Sequence, residues 1–295
     1  MINLGAVVRD GMDELLKNEW RTDYLHASDI GFTIDPDDGG KCMRQFWLRH
    51  EEADKKEVGP GRQLMFEQGN HLEKKVMEYL HSGFRQYDVD IIAEQMNVSL
   101  GLPEGVRGRL DFLICSDDSV AVVDIKSKRG GAFQHMDDGP KERNKMQVVV
   151  YSWAISKMMQ FSPDYGGILV VDREGQNFVR DFWFPITDSL IERAEDGFRR
   201  LEKVRGSNTP PPRLDVDIST RENKNNHAIY VKQPWQCRYC DFHEVSCRGA
   251  MPSSMETNRV VGYYENGEVR FKDDYSKLEK FARDAVVKHF EGEQR

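Results

Sequence analysis

GRLDFLICSDDSVAVVDIK, residues 108–126, decides the fold. It reads as two apolar strands joined by a polar turn. Asp117 and Asp118 form a two-residue hairpin loop, since Asp is a favoured turn residue. Residues whose numbers sum to 235 then face each other: 116 with 119, 115 with 120, and 111 with 124. Asp111 and Asp124 are therefore expected opposite one another on one sheet face, with Cβ atoms roughly 5 Å apart. Like charges so placed repel unless a cation lies between them. Lys126, two residues beyond Asp124, shares their face by strand alternation. Two acids and a lysine at one end of an apolar hairpin suit a divalent-metal site for phosphodiester hydrolysis. The plainer alternative is a solvated strand end, since a longer turn would shift the register and undo the pairing.

Outward from the hairpin, GRQLMFEQGNHLEKKVMEYLHSGF (61–84) carries Leu64, Met65, Leu72, Val76, Tyr79 and Leu80 at helical spacing, with Gly83 expected to end the helix. Strands are expected at about 88–99, 107–115 and 119–126, then a long helix at about 141–160. GGILVVD (166–172) and FVRDFWF (178–184) read as further strands, and Thr187 or Asp188 caps a helix to about 205. Upstream, a helix is expected at about 8–19, and CMRQFWLRHEE (42–52) also reads as helical. SNTPPPRLD (207–215) is a proline-rich linker. A cysteine segment follows, then a hairpin centred on Glu265-Asn266-Gly267 and a terminal helix to about 290.

The expected organisation is an N-terminal helical segment carrying Cys42 (1–60), a core (61–206), a linker with the cysteine segment (207–250) and a C-terminal hairpin and helix (251–295). The order helix, three strands, helix, strand points to the α/β class: a mixed central sheet flanked by helices. The absence of a G-x-x-x-x-G-K-[S/T] loop argues against a built-in ATPase motor.

The 295 residues carry a formal net charge of −8, which disfavours coating of nucleic acid by the whole surface. Lys126, Lys128, Arg129, Lys141, Arg143 and Lys145 nevertheless gather after the second hairpin strand, where phosphate contacts are plausible. No apolar run reaches the ~18 residues of a membrane span, and the amphipathic N-terminus is too acidic for a signal peptide. A soluble, cytoplasmic protein is expected. Cys115 belongs to the apolar hairpin as a small hydrophobe. Cys42, Cys237, Cys240 and Cys247 stand in polar surroundings, where metal ligation is expected rather than disulfides.

These motifs together resemble the PD-(D/E)XK nuclease superfamily, in particular its RecB-like branch. Asp111 matches the first metal-binding aspartate, Asp124-Ile125-Lys126 the (D/E)-x-K element, and Gln147-Val-Val-Val-Tyr151 the Q-h-x-x-Y motif of the following helix. Gln147 and Tyr151, four apart, share a helical face. The branch also places an acidic or histidine ligand on the preceding helix, usually four residues after a glycine. Glu73 fits that register from Gly69, and His71 is its rival; two apart on a helix, they cannot both face the site.

Cys237-x-x-Cys240-x6-Cys247 with the distant Cys42 is similar to the iron–sulfur staple of AddB-type and CRISPR-associated exonucleases. The resemblance implies a restriction-endonuclease-like core with a stapled terminal region and a [4Fe–4S] cluster. Structural zinc is the alternative, with His243 available for a Cys₃His set. It further implies Mg²⁺ or Mn²⁺ held by Asp111, Asp124, Glu73 (or His71) and the Ile125 carbonyl. Lys126 would act on the water, and Gln147 and Tyr151 would position the strand. The expected activity is exonucleolytic cleavage of single-stranded DNA or DNA ends, in repair or recombination, with a helicase or recombination partner. Two rivals remain: a non-catalytic module binding DNA ends or a partner, and a zinc-ribbon interaction protein whose Asp-x-Lys is incidental.

Overall fold

The computed structural model describes residues 24–56, 59–101, 105–117, 119–129, 133, 136, 139–174, 179–214, 216–223, 226–232, 234–247, 260–265, 268–271 and 280–292. The helix expected at 8–19 lies outside the described residues. The chain forms two compact units. One comprises 1–41 and 58–206; the other comprises 42–57, which carries helix α1 (Met43–His50), and 207–295.

In the first unit, β1 (Leu25–His26) leads into a 3₁₀ turn (Ala27–Phe32). Helix α2 (Pro60–Phe84) follows, then β2 (Asp90–Glu94), β3 (Asn97–Leu100), β4 (Val106–Arg109), β5 (Phe112–Ser116) and β6 (Ser119–Lys128). Helix α3 (Glu142–Met158), β7 (Tyr165–Asp172), β8 (Val179–Pro185) and α4 (Asp188–Arg205) complete it. The main sheet has the order β2-β5-β6-β7-β8, with β6 and β7 parallel and the other neighbours antiparallel. This is the mixed, helix-flanked sheet that the order of apolar segments implied.

Helix α2 starts at Pro60, whose missing N–H costs nothing in a first turn. Its Val76 and Met77 pack with Phe112, Ile114, Ala121, Val123 and Ile125, the alternate residues of β5 and β6. Helix α3 is buried without a break from Val148 to Ile155. Three consecutive valines have little intrinsic helical preference, so burial all round carries this segment. Helix α4 is instead amphipathic, burying Ala194, Gly197, Phe198 and Leu201, and Thr187 caps it by accepting from the Leu190 N–H at 3.4 Å.

Two expected strands are each broken. The run 88–99 divides into β2 and β3 at Gln95, whose φ is +47°. The run 107–115 divides into β4 and β5 at Leu110-Asp111. The two breaks face each other: Gln95 N–H donates to the Asp111 carbonyl at 2.9 Å, and Leu110 N–H to that of Met96 at 3.0 Å. One antiparallel ribbon thus turns a corner, leaving the main sheet and entering a small sheet of order β1-β4-β3. Apolar alternation continues through the corner, so a sequence pattern reads it as unbroken strand.

The second unit contains β9 (Asp217–Asn223), β10 (Asn226–Lys232), the single-turn helix α5 (Trp235–Arg238), β11 (Val260–Glu265), β12 (Glu268–Phe271) and α6 (Lys280–Gly292). The strands form an antiparallel sheet of order β12-β11-β10-β9. Ile229, Val231 and Val261 pack on Ala282, Val286 and Phe290 of α6, and Tyr264 stacks on Phe290 with centroids 4.5 Å apart. A side chain at Gly262 would lie 2.5 Å from the Arg270 carbonyl oxygen, so only glycine fits there. The hairpin near 265–267 is therefore half of a larger sheet, whose other half, β9 and β10, the sequence reading missed. The alternation in HAIYV was the available signal.

Segment 42–57 is fastened within this unit by backbone and side-chain hydrogen bonds. Trp47 Nε1 donates to the Ser207 carbonyl and Arg44 to that of Pro211, both at 2.8 Å. Lys56 N–H donates to the Asp241 carbonyl at 2.7 Å, and Ser246 Oγ to that of Asp54 at 2.5 Å.

Candidate active site and thiol cluster

The hairpin register is the one implied by a two-residue turn: Ser116 faces Ser119, and the ladder runs to Phe112 opposite Val123. Asp117 takes a positive φ of 48°, as such a turn demands. Asp111 lies one residue beyond the ladder, at the corner. Its Oδ2 accepts from the Ile125 N–H at 2.7 Å, so its carboxylate is laid against the Asp-Ile-Lys strand. Asp111 is 8% and Asp124 2% exposed. Ile125 packs toward α2, so Asp124 belongs to the opposite face of the sheet. Lys126 Nζ reaches Asp124 Oδ2 at 2.7 Å.

This arrangement is electrostatically expensive without a cation. Burial, then the Asp124 charge, pushes the Asp111 carboxyl up to about 7. Burial also raises Asp124, with Lys126 opposing the shift. Burial works to lower the Lys126 ammonium, but Asp124, with Asp111 and Glu73, outweighs it and holds Lys126 above its ordinary value. The lysine therefore keeps its proton at neutral pH.

Glu73 and His71 part company in the structure. Glu73 lines a cavity of about 340 Å³ with Gly69, Ile125, Lys126 and Arg173, whereas His71 is exposed and does not line it. Gln95 Nε2 donates to Glu73 Oε1 at 3.3 Å and to Asp111 Oδ1 at 3.2 Å. One amide thus links the acid from α2 to the acid at the corner. Sequence reasoning missed Gln95, since apolar alternation passes through the corner and gives no signal of it. Gln147 Nε2 donates to the Tyr151 hydroxyl at 2.8 Å, so the four-residue spacing brings the two side chains together. Burial, then the Asp124 charge, raises the Tyr151 phenol, which stays neutral.

The basic residues divide. Lys128 is lowered to about 8 by burial and by the charges of Lys141 and Arg143, so these three lie close together. Arg143 donates to the Gly39 carbonyl at 3.0 Å. Lys145 instead sits over the Phe184 ring, and Arg129 turns to the Met65 sulfur.

The four cysteines all belong to the second unit. Burial pushes the Cys237 thiol up to about 12, and Cys42, Cys240 and Cys247 push it the same way. Cys240 rises to about 11 through burial, with Cys42 and Cys247 adding to it. Burial likewise raises Cys42, which feels Cys247. The solitary Cys42 is therefore brought near the other three, at the N-terminus of α1. The Cys240 carbonyl accepts from the His243 N–H at 3.3 Å, and His243 itself is buried. Cys115 is half-buried on β5, more exposed than its apolar neighbours suggested. Among the described residues, no three His, Cys, Asp or Glu side chains stand as a closed metal-binding set. Nor, among the described residues, is any helix long and apolar enough to cross a membrane.

The sequence profile of the PD-(D/E)XK nuclease superfamily matches residues 31–248. No curated protein matches the chain. Among solved structures, SSO0001 is 16% identical with a TM-score of 0.41, over 84% of this chain and 99% of that one. An alkaline exonuclease from Laribacter hongkongensis is 12% identical with a TM-score of 0.44, over 63% of this chain and 91% of that one. A phage related exonuclease from Haemophilus somnus 129PT is 13% identical with a TM-score of 0.42, over 66% of this chain and 96% of that one.

Proposed function

This chain belongs to the PD-(D/E)XK nuclease superfamily, and on that premise we propose that it is a metal-dependent deoxyribonuclease that cuts single-stranded DNA or DNA ends exonucleolytically. The observation that carries the reading is the burial of Asp111 and Asp124 together at one hairpin end, with Lys126 on Asp124. A sheet gains no stability from two buried acids raised by burial and, at Asp111, by its neighbour's charge; a cation converts that cost into binding.

Asp111, Asp124 and Glu73, with the Ile125 carbonyl, would hold Mg²⁺ or Mn²⁺, since an oxygen-only donor set suits hard cations. When bound, such a cation polarises a phosphoryl oxygen and makes a water more acidic. Lys126, charged and facing Asp124, donates to the attacking water or to the charge developing on the phosphate. Gln95 holds Glu73 and Asp111 to one another. Gln147 fixes the Tyr151 hydroxyl, and the pair positions the strand. Lys128, Lys141 and Arg143 supply positive charge for neighbouring phosphates.

In the second unit, Cys42, Cys237, Cys240 and Cys247 are proposed to hold a [4Fe–4S] cluster, with zinc as the competing occupant. Burial keeps these thiols protonated; a bound metal would favour their thiolates and tie 42–57 to 207–247. Anaerobic purification followed by iron and zinc analysis separates the two.

The test of the function is cleavage of end-labelled single- and double-stranded DNA with Mg²⁺ or Mn²⁺, and with EDTA. The reading expects metal-dependent release of nucleotides from ends. Absence of cleavage of any DNA with either metal, by protein of full metal content in the second unit, contradicts it.

A further inference from the structure

A second cavity, of about 550 Å³, lies on the small sheet and is lined by Tyr24, His26, Asn97, Ser99, Arg107 and Arg109, with Val98 and Gly108 between them. None of these residues belongs to the acid site. Arg107 and Arg109 alternate along β4 and are both exposed, while Val106 between turns and core is buried. Ladder pairing sets His26 beside Arg107, Arg107 beside Ser99, and Arg109 beside Asn97. One face of the small sheet therefore presents two guanidinium groups in a row, flanked by short hydrogen-bonding side chains. Among the described residues, neither arginine enters an ion pair. In a chain of net charge −8, such a face favours an anionic partner.

Two further observations narrow the partner. The Arg107 guanidinium lies over the Tyr24 ring at 4.6 Å, and the Tyr24 and His26 rings are 4.8 Å apart. A guanidinium backed by an aromatic ring is a flat, cationic platform, on which an unpaired base stacks. The cleft also adjoins the acid site. A side chain at Gly108 would lie 2.7 Å from Tyr151 Cε1, so Tyr151 backs the strand on the face opposite the two arginines. Arg109 is also close enough for its charge to act on the Tyr151 hydroxyl. Asp111 follows two residues after Arg109 on the same chain.

We propose that this cleft binds unpaired nucleotides of the strand being cut, with Arg107 and Arg109 contacting successive phosphates and the Arg107–Tyr24 platform stacking a base. This rests on the nuclease reading for its direction of approach. Stacking and phosphate contact demand only a π-face and a charge, so the cleft binds without regard to sequence. A volume within the ~300–1,000 Å³ of small-ligand clefts takes a base and its sugar-phosphate, and leaves a paired duplex outside.

The experiment is fluorescence anisotropy of the full chain in EDTA with labelled oligothymidylate and with a blunt duplex, for wild type, Arg107→Ala, Arg107→Lys, Arg109→Ala and the double alanine variant. All are exposed positions, and circular dichroism checks the fold. Each alanine should weaken single-strand binding about tenfold and lower the salt slope by ~0.7. Arg107→Lys should restore the salt slope without the full affinity, since lysine keeps the charge and loses the platform. Duplex binding should change less. A double variant that binds oligothymidylate within about twofold of wild type, or an equal loss on both probes, overturns the proposal. Because EDTA removes catalysis, the two readings fail separately. Unchanged binding by a double variant of an active nuclease sinks the cleft alone. Lost binding in a chain whose wild type cuts no DNA sinks the nuclease and leaves the cleft standing.

Discussion

The acid site of the first unit and the thiol cluster of the second both crowd ionisable groups whose charged forms are costly to keep together, but they are built from different material. Asp124 is held in the β6–β7 ladder opposite Ile168, and Asp111 by the Ile125 N–H and the Gln95 amide, all of which exist without a cation. The thiols hang on a single-turn helix, a chain of turns from 237 to 247, and the start of α1. A site on rigid strands can lose its cation and keep its shape, whereas a site on turns depends on its ligand for its shape. If both sites hold metal as proposed, its removal should silence the first unit and loosen the second.

The sharpest break in that comparison is Asp124→Ala. Metal-dependent DNA cleavage should fall by about 10³-fold or more, while the melting temperature of the metal-free protein stays level or rises. Loss of the fold together with the activity would mean that the acid is structural. Next in size is Cys42→Ala, which should release the metal proposed for the second unit and cost several kcal/mol of its stability, as Cys240→Ala should. Cys115→Ala should leave metal content unchanged. Iron or zinc retained in full by the Cys42 variant would separate that residue from the cluster.

Smaller effects sharpen the acid site itself. Glu73→Ala should weaken Mn²⁺ binding by roughly 10–100-fold and His71→Ala hardly at all; the reverse order in calorimetry would exchange the two residues. Gln95→Ala, which removes only the link between Glu73 and Asp111, should cost about tenfold in Mn²⁺ affinity with the fold intact. The smallest expected effect is on stability against pH. Asp111 is raised on folding, so the metal-free protein is penalised progressively as pH rises from about 4, the ordinary carboxyl value, to about 7. Asp111→Asn should make that decline shallower and add about 1–3 kcal/mol at pH 8, read by urea unfolding in EDTA. An unchanged pH profile would place the penalty elsewhere.

The sequence made the hairpin legible because a two-residue turn admits one register, and alternation then fixes the faces. Gln147 and Tyr151 were legible for the same reason, since a four-residue spacing on a helix leaves no freedom. Gln95 was not, because its importance comes from a corner where a ribbon changes sheets, and apolar alternation runs straight through it. Glu73 and His71 could not be separated by spacing alone; Glu73 lines the cavity beside Lys126 and His71 does not, which favours Glu73 as the residue to test first. Strands β9 and β10 escaped because the polar composition of DISTREN resembles loop, and only the shared core with α6 identifies it as sheet. The meeting of Cys42 with the distant three follows from how 42–57 is fastened into the second unit, which no local pattern encodes.

The central claim is that Asp111 and Asp124 are raised carboxyls awaiting a divalent cation. Titration of Mn²⁺ at pH 6.5, in two buffers of different ionisation enthalpy, measures the metal bound and the protons released together. The account predicts binding that expels protons in the wild type, weaker binding with less release in Asp111→Asn, and loss of the site in Asp124→Ala. Equal Mn²⁺ binding by wild type and Asp124→Ala, with no proton release in either, would contradict it.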